Sequence, residues 1–366
     1  MKQLMFTPGP TDVHPKILKA MSRPLINPDI DEVFFQIYDS LCDKIRKVGG
    51  TKSTVFVMAG EGMVGLDSAV ANLVEPKEKV LALTSGVFGD GFVDLIRNYG
   101  GQPVIVRSDY DDVVSPNQVE RAIERNPNLR VATFVHCETP SGTISPLKEI
   151  GKICNHHDII LIADVVSSLA GIPVNADKNH VDISLGASQK CFSAPPGLAT
   201  ISVSDRAWEK IQRRKTKVQS FYLDLLNWKK MWLKERTFPY TQSVSDIFAL
   251  DMAVDMILQE GLEKVYDRHA KVAEFVRASC KEIGLKLFPI RPEICSDTVT
   301  AFKIPRGLDE AKLREKMRAK YGVVIAGSWG KLTGRVLRLG HMGYNAEMRR
   351  AERAINALSK SIDSLR

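Results

Sequence analysis

Seven short apolar runs rich in Val and Ile recur between Thr54 and Ser204: TVFVMA, KVLALTS, PVIVRS, RVATFVH, IILIADVVSS, DISLGAS and LATISVS. The stretches between them carry helical periodicity, so strand and helix alternate across the whole segment. Runs this continuously apolar belong to strands covered on both faces. They predict an α/β fold built on a mostly parallel, doubly wound sheet of seven strands. Ligands of such sheets bind at the carboxyl ends of the strands.

Beyond this region the pattern changes. From Val244 to Ile283 helical periodicity dominates, and TVTAFKIP, GVVIAG and RVLRLG then read as strands around the helical LDEAKLREKMRAKYG, with a helix closing the chain. We expect an N-terminal segment 1–17, a large domain 18–260 and a smaller α/β domain 261–366.

With 366 residues, 44% of them apolar, the chain can bury a sizeable core. No apolar run reaches the ~18 residues that a membrane helix needs. MKQLMFTPGP has neither a signal-peptide core nor an Arg/Ser-rich transit pattern, so a soluble, cytoplasmic protein without a membrane partner is expected. The net charge of +8 and the run KIQRRKTK, Lys210 to Lys217, raise nucleic acid as a partner, but 43 acidic residues are interspersed and no aromatic-studded basic motif occurs. A solvated helix end is expected there, and no nucleic acid. Cys42, Cys137, Cys154, Cys191, Cys280 and Cys295 include no C-x-x-C pair, and the adjacent His156 and His157 point apart. Neither a disulfide framework nor a metal site is expected.

The stretch VFVMAGEGMVG, Val55 to Gly65, runs a strand into Gly60-x-Gly62-x-x-Gly65, the spacing of a dinucleotide turn. A nicotinamide site also needs an acid at the end of the next strand, and KVLALTS ends in Thr84 and Ser85. Glu61 would moreover face a pyrophosphate, so a dehydrogenase is disfavoured. The turn still opens a helix, GLDSAVANLVE, whose free N–H groups suit an anion such as a single phosphate.

Two other strand ends carry chemistry. IILIADVVSS ends an apolar strand in Asp164, where an ionised carboxylate is costly without a cation. LGASQKCFSAPPG puts Lys190 just past the next strand. An amine and a carboxylate on neighbouring strand ends suit pyridoxal phosphate, the lysine forming a Schiff base and the aspartate holding a proton on the pyridine nitrogen. A plain ion pair capping the sheet accounts for this pair of residues equally well.

TPGPT, SGVFGDGF, HCETPSGTISPL, ADVVSSLAGIP, SQKCFSAPPG, SFYLDLLNW and VLRLGHMG occur in that order along the chain. Together they resemble the class V aminotransferases of fold type I, end to end. Within that class the chain is most similar to the alanine/serine:glyoxylate (or pyruvate) aminotransferases and to pyridoxamine–pyruvate aminotransferase. The resemblance implies pyridoxal 5'-phosphate as cofactor and ping-pong transfer of an amino group from alanine or serine to glyoxylate or pyruvate. The alternative it implies is a pyridoxamine–pyruvate reaction on the unphosphorylated vitamin.

Carried over by motif, the resemblance makes Lys190 the Schiff-base lysine and general base, and Asp164 the partner of the pyridine nitrogen. Val166 would lie under the ring, Phe88 would stack on its other face, and Thr139 would bond near its 3-oxygen. Gly60, Glu61 and Gly62 of the turn, with Gln189, would meet the phosphate. Thr241 would reach the phosphate of the other subunit, which implies a homodimer with a shared active site. Arg338 would bind the substrate carboxylate, with Gly9 of TPGPT on the same side. A cysteine desulfurase would share the fold, but Cys295 stands without that family's surrounding motif.

The match departs at the glycine turn. The alanine–glyoxylate branch carries Ser and His where this chain has Glu61 and Met63, and Tyr where it has Phe238. A serine hydroxyl donates to a phosphate, and an ionised carboxylate does not. The pyridoxamine–pyruvate enzyme is similar in its Gly-Glu pair, yet has an additional arginine where this chain has Trp329. The expectation is that Glu61 turns outward or pairs with a nearby base, leaving backbone N–H groups to hold a phosphate.

Overall fold

The seven Val- and Ile-rich runs form one sheet. A computed structural model describes residues 3–365. Its strands are β1 (Thr54–Ala59), β2 (Lys79–Thr84), β3 (Gln102–Arg107), β4 (Val131–Val135), β5 (Ile160–Asp164), β6 (Ile183–Ala187) and β7 (Leu198–Val203). Their order is β1-β7-β6-β5-β4-β2-β3. β7 runs antiparallel to both neighbours, and the remaining pairs are parallel. Every residue of β4 to β7 is buried, as their continuous apolar runs require, whereas β3 is an edge strand and alternates partly buried with exposed residues. The order reverses between β2 and β4, a topological switch point of the kind at which ligands bind.

Helices cover both faces. Two of them begin at strand ends that matter below: α1 (Gly62–Leu73), after β1, and α2 (Val87–Asn98), after β2. α3 (Val244–Glu260) leads through Gly261, at φ 90°, into α4 (Leu262–Glu282). That backbone angle lies in the region open to glycine and strained for other residues.

A second apolar cluster joins α4 and the C-terminal helix Met348–Asp363 to a three-stranded sheet ordered Val299–Lys303, Val336–Gly340, Ala326–Gly327. GVVIAG, expected as one strand, divides in two. Val323–Val324 pairs in parallel with Leu4–Met5, while Ala326–Gly327 pairs with Val336–Gly340. The chain start therefore packs on the C-terminal elements, with Leu4 and Phe6 in their core. A dipeptide strand has no sequence signal of its own, because its partner is some 300 residues away.

The basic run folds onto its own chain. Lys210 ends a helix and pairs with Glu78 at 2.5 Å, and Arg214 donates to the carbonyls of Asn72 and Val74. His156 and His157 close a helix, His157 Nε2 lying 2.8 Å from Glu120. Among the described residues no helix is long and apolar enough to cross a membrane.

Candidate active site

β5 ends in Asp164, and a tight turn after β6 presents Lys190, its carbonyl accepting from Ser193 N at 2.9 Å. Both side chains are buried. They form no direct ion pair. Lys190 Nζ instead donates to the Pro8 carbonyl at 2.8 Å, and Asp164 Oδ1 accepts from Val166 N at 2.8 Å. Burial pushes the Asp164 carboxyl up to about 7, against the Val166 hydrogen bond and the Lys190 charge, with Glu61 adding to the rise. Burial also brings the Lys190 amine down to about 8, helped by the Arg338 charge and opposed by Asp164. The site thus holds an amine that loses its proton near neutrality and a carboxyl short of a cation. An ion pair capping the sheet would show neither property.

These two groups line a cavity of about 560 Å³. Val166 and Phe88 contribute its apolar walls. α1 runs close beneath: a β-carbon on Gly62 would stand 3.1 Å from Val166 Cγ2. Phe88 lies in the first turn of α2, whose free N–H groups are taken by a residue that motif matching left without a role. The buried Glu138 carboxylate accepts from Phe88 N at 3.2 Å and Gly89 N at 2.7 Å. Burial pushes that carboxyl up to about 8. Thr139 is hydrogen-bonded to Ser167, and both hydroxyls face the same cavity. A larger open cleft of about 930 Å³, lined by Arg107, Lys303 and Lys331, lacks this acid–base pair.

At the glycine turn the expectation for Glu61 is corrected. Its carboxylate does not turn outward. Glu61 is the N-cap of α1, Oε1 accepting from Met63 N at 2.9 Å and Oε2 from Gln189 Nε2 at 3.4 Å, and it lines the cavity. Capping competes with any bound anion because the helix has few free N–H groups to offer. Gly60, at φ 138°, anchors the turn by donating to the Gly197 carbonyl at 2.7 Å. Gln189 Oε1 is buried with no hydrogen-bond partner among the described residues. Phe238 sits apart, stacked on Trp232 at 4.2 Å in an aromatic cluster.

Arg338 is buried in Val336–Gly340, its Nε donating to Gly327 O at 2.7 Å and a terminal nitrogen to Thr139 O at 3.4 Å. Among the described residues no carboxylate pairs with it. Burial holds its pKa down, at about 10. It lines a neighbouring cavity of about 640 Å³ that shares Trp329 with the Lys190 cavity, the indole centroid lying 5.3 Å from the guanidinium carbon. Gly9 and Pro10 border both spaces. Thr241 is exposed and lies outside both. Trp329 and Ser167 line the cavity without an expected role, and Glu138 acts on it from behind through Phe88 N and Gly89 N; these contacts join segments distant in sequence.

The residues fit a pyridoxal-type ring: a lysine, an aspartate needing a cation, and apolar walls. The far end fits a 5'-phosphate poorly, since two acceptors, the Glu61 carboxylate and the free Gln189 oxygen, meet there.

The family model for class V aminotransferases matches residues 28–349. An uncharacterised aminotransferase of Methanocaldococcus jannaschii is 38% identical over 95% of this chain and 89% of its own. The pyridoxamine–pyruvate transaminase of Mesorhizobium japonicum is 35% identical over 99% of this chain and 92% of its own. The crystal structure of an alanine–glyoxylate aminotransferase from Nostoc sp. superposes with a TM-score of 0.95 at 31% identity, covering 99% of this chain and 96% of that one. With a lysine and an aspartate on adjacent strand ends in that fold, the chain belongs to the class V aminotransferases and is a transaminase.

Proposed function

We propose that this transaminase moves an amino group between a small 2-oxo acid, pyruvate or glyoxylate, and a pyridoxal-type ring that it holds at Lys190 without a phosphate. The reaction is then of the pyridoxamine–pyruvate kind. The observation that carries this reading is the Glu61 carboxylate on Met63 N at the end of α1. A phosphate there would meet a like charge, and Glu61 with Gln189 Oε1 instead suits a hydroxyl donor such as the free vitamin's hydroxymethyl group.

A bound pyridoxal-type ring supplies an electron sink conjugated to the amino group. The chain's own residues do the rest. Asp164 keeps a proton on the ring nitrogen, which restores its charge. Val166 and Phe88 hold the ring flat, and Thr139 bonds its oxygen side. Lys190, neutral above about pH 8, would take a proton from the carbon that gives up the amino group and deliver it to the carbon that receives it. Arg338 binds the α-carboxylate. Thr241 completes the site of a partner subunit in a homodimer.

A second reading keeps pyridoxal 5'-phosphate as cofactor, with alanine or serine as donor. Trp329 favours it, since the additional arginine of the pyridoxamine–pyruvate enzyme is missing. Absorbance titration separates the two. Free pyridoxal should bind the purified protein more tightly than its phosphate, and Glu61→Ser should invert that order. Tighter binding of the phosphorylated form by the wild type would overturn the first reading in favour of the second.

A further inference from the structure

Arg338 is a buried guanidinium held by two carbonyls; Glu310 lines its cavity and acts on it at longer range, but among the described residues no carboxylate forms an ion pair with it, which leaves it open to an anion from outside the chain. Trp329 borders both the cavity of that cation and the cavity of Lys190. Its indole lies over the guanidinium and meets Phe88 edge-on, with ring centroids 5.8 Å apart and an interplanar angle of 68°. A substrate with its carboxylate at Arg338 and its reacting carbon at Lys190 would lie against this shared wall.

The chemistry around that wall is one-sided. Lys190 is the one cation lining its cavity among the described residues, whereas Glu61 and Asp164 both present carboxyl groups to it. On the Lys190 side, away from the Arg314 and Arg318 that line the Arg338 cavity, a second carboxylate on the substrate would leave water for an apolar ring and two acids, with no free cation there to pair it. Trp329 is held at its base, because Ser328 Oγ donates to Pro140 O at 2.8 Å, while the indole itself is 50% exposed. The wall is anchored, yet its outer edge is free to yield.

We infer that Trp329 determines substrate specificity, admitting 2-oxo acids with one carboxylate and a short apolar side chain and rejecting dicarboxylic ones. This rests on the proposed reading, which supplies pyridoxamine as the amino donor and a 2-oxo acid as the acceptor.

The experiment compares kcat/KM for pyruvate, oxaloacetate and 4-methyl-2-oxopentanoate, with pyridoxamine as donor, in the wild type and in Trp329→Arg, Trp329→Ala and Trp329→Phe. Trp329→Arg should lower the preference for pyruvate over oxaloacetate by about tenfold or more, chiefly through KM for oxaloacetate, and Trp329→Ala should favour the branched acid by a similar factor. Trp329→Phe, which keeps an aromatic wall, should retain the wild-type order and guards against variants that fail to fold. Pyruvate should also change the indole fluorescence of the wild type without any vitamin added, since Trp208, Trp228 and Trp232 are buried elsewhere. Unchanged selectivity in both Trp329→Arg and Trp329→Ala, with a wild type that uses pyruvate, overturns the role of Trp329 and leaves the proposed function standing. A wild type that aminates neither pyruvate nor glyoxylate overturns the proposed function itself.

Discussion

Gly9 leaves open the space through which Lys190 passes: a β-carbon on Gly9 would stand 2.5 Å from Lys190 Cδ and 2.6 Å from its Nζ. The glycine also holds φ at 111°, where other residues are strained. Gly9→Ala should therefore cost about 1–3 kcal/mol in backbone strain alone and displace the lysine. Chemical denaturation reads the first effect and the rate of pyridoxal capture the second. Capture at the wild-type rate would show that the lysine does not depend on this gap.

Lys190→Ala should abolish transamination and the absorbance of bound pyridoxal. The fold should survive, because a buried amine that burial already pushes towards neutrality contributes little to stability. Activity assays with a thermal melt check both parts. Near-normal turnover would remove Lys190 from the mechanism.

Capture of pyridoxal needs the neutral amine. Since burial and Arg338 bring Lys190 down to about 8, the capture rate should climb as pH rises through that value and then level off. Removing a neighbouring cation raises the amine's pKa, so Arg338→Ala should move the midpoint to higher pH. Stopped-flow absorbance across neutral and alkaline pH measures this, and an unmoved midpoint would mean that Arg338 is electrostatically remote.

Arg338→Lys keeps the charge but loses the planar fork of donors that suits a carboxylate. Half-saturation for pyruvate should rise by about 10- to 100-fold, the value of hydrogen bonds to a charged group, with a smaller change in kcat. Steady-state kinetics at saturating vitamin would show it.

Glu138 holds its proton more tightly in the fold, at about 8, than at its ordinary value of 4.5. The folded state then binds more protons than the unfolded chain between these values, so this contribution to stability is full at low pH and declines as pH rises towards 8. Asp164, raised from 3.8 to about 7, acts in the same direction. Glu138→Gln should flatten part of the fall in melting temperature over this range and leave the part due to Asp164. It should also loosen Phe88, since Phe88 N and Gly89 N donate to different carboxyl oxygens and the amide replaces one of these acceptors with a donor. Parallel melting curves for the two proteins would exclude Glu138 as a titrating group.

The main sheet was readable because its signals are local. A Val- and Ile-rich run is apolar wherever it lies, and the alternation with helices restricts the arrangement to a parallel sheet with its site at the strand ends. Asp164 and Lys190 follow from the same logic, each being the polar residue that terminates or follows an apolar strand. Glu61 was read less well. The sequence shows a carboxylate at a helix start, but whether it faces solvent or caps Met63 N depends on a rotamer and on Gln189, which approaches from 128 residues away.

The sequence by itself determined the seven strands of the main sheet and the identity of the acid and the amine, because side-chain polarity and periodicity act over a few residues. Only the tertiary structure decided that Leu4–Met5 closes on Val323–Val324, that Glu138 holds the helix bearing Phe88, and that Trp329 lines the cavities of both Lys190 and Arg338. Those relations depend on which distant segments share one buried space, and burial is a property of the whole fold.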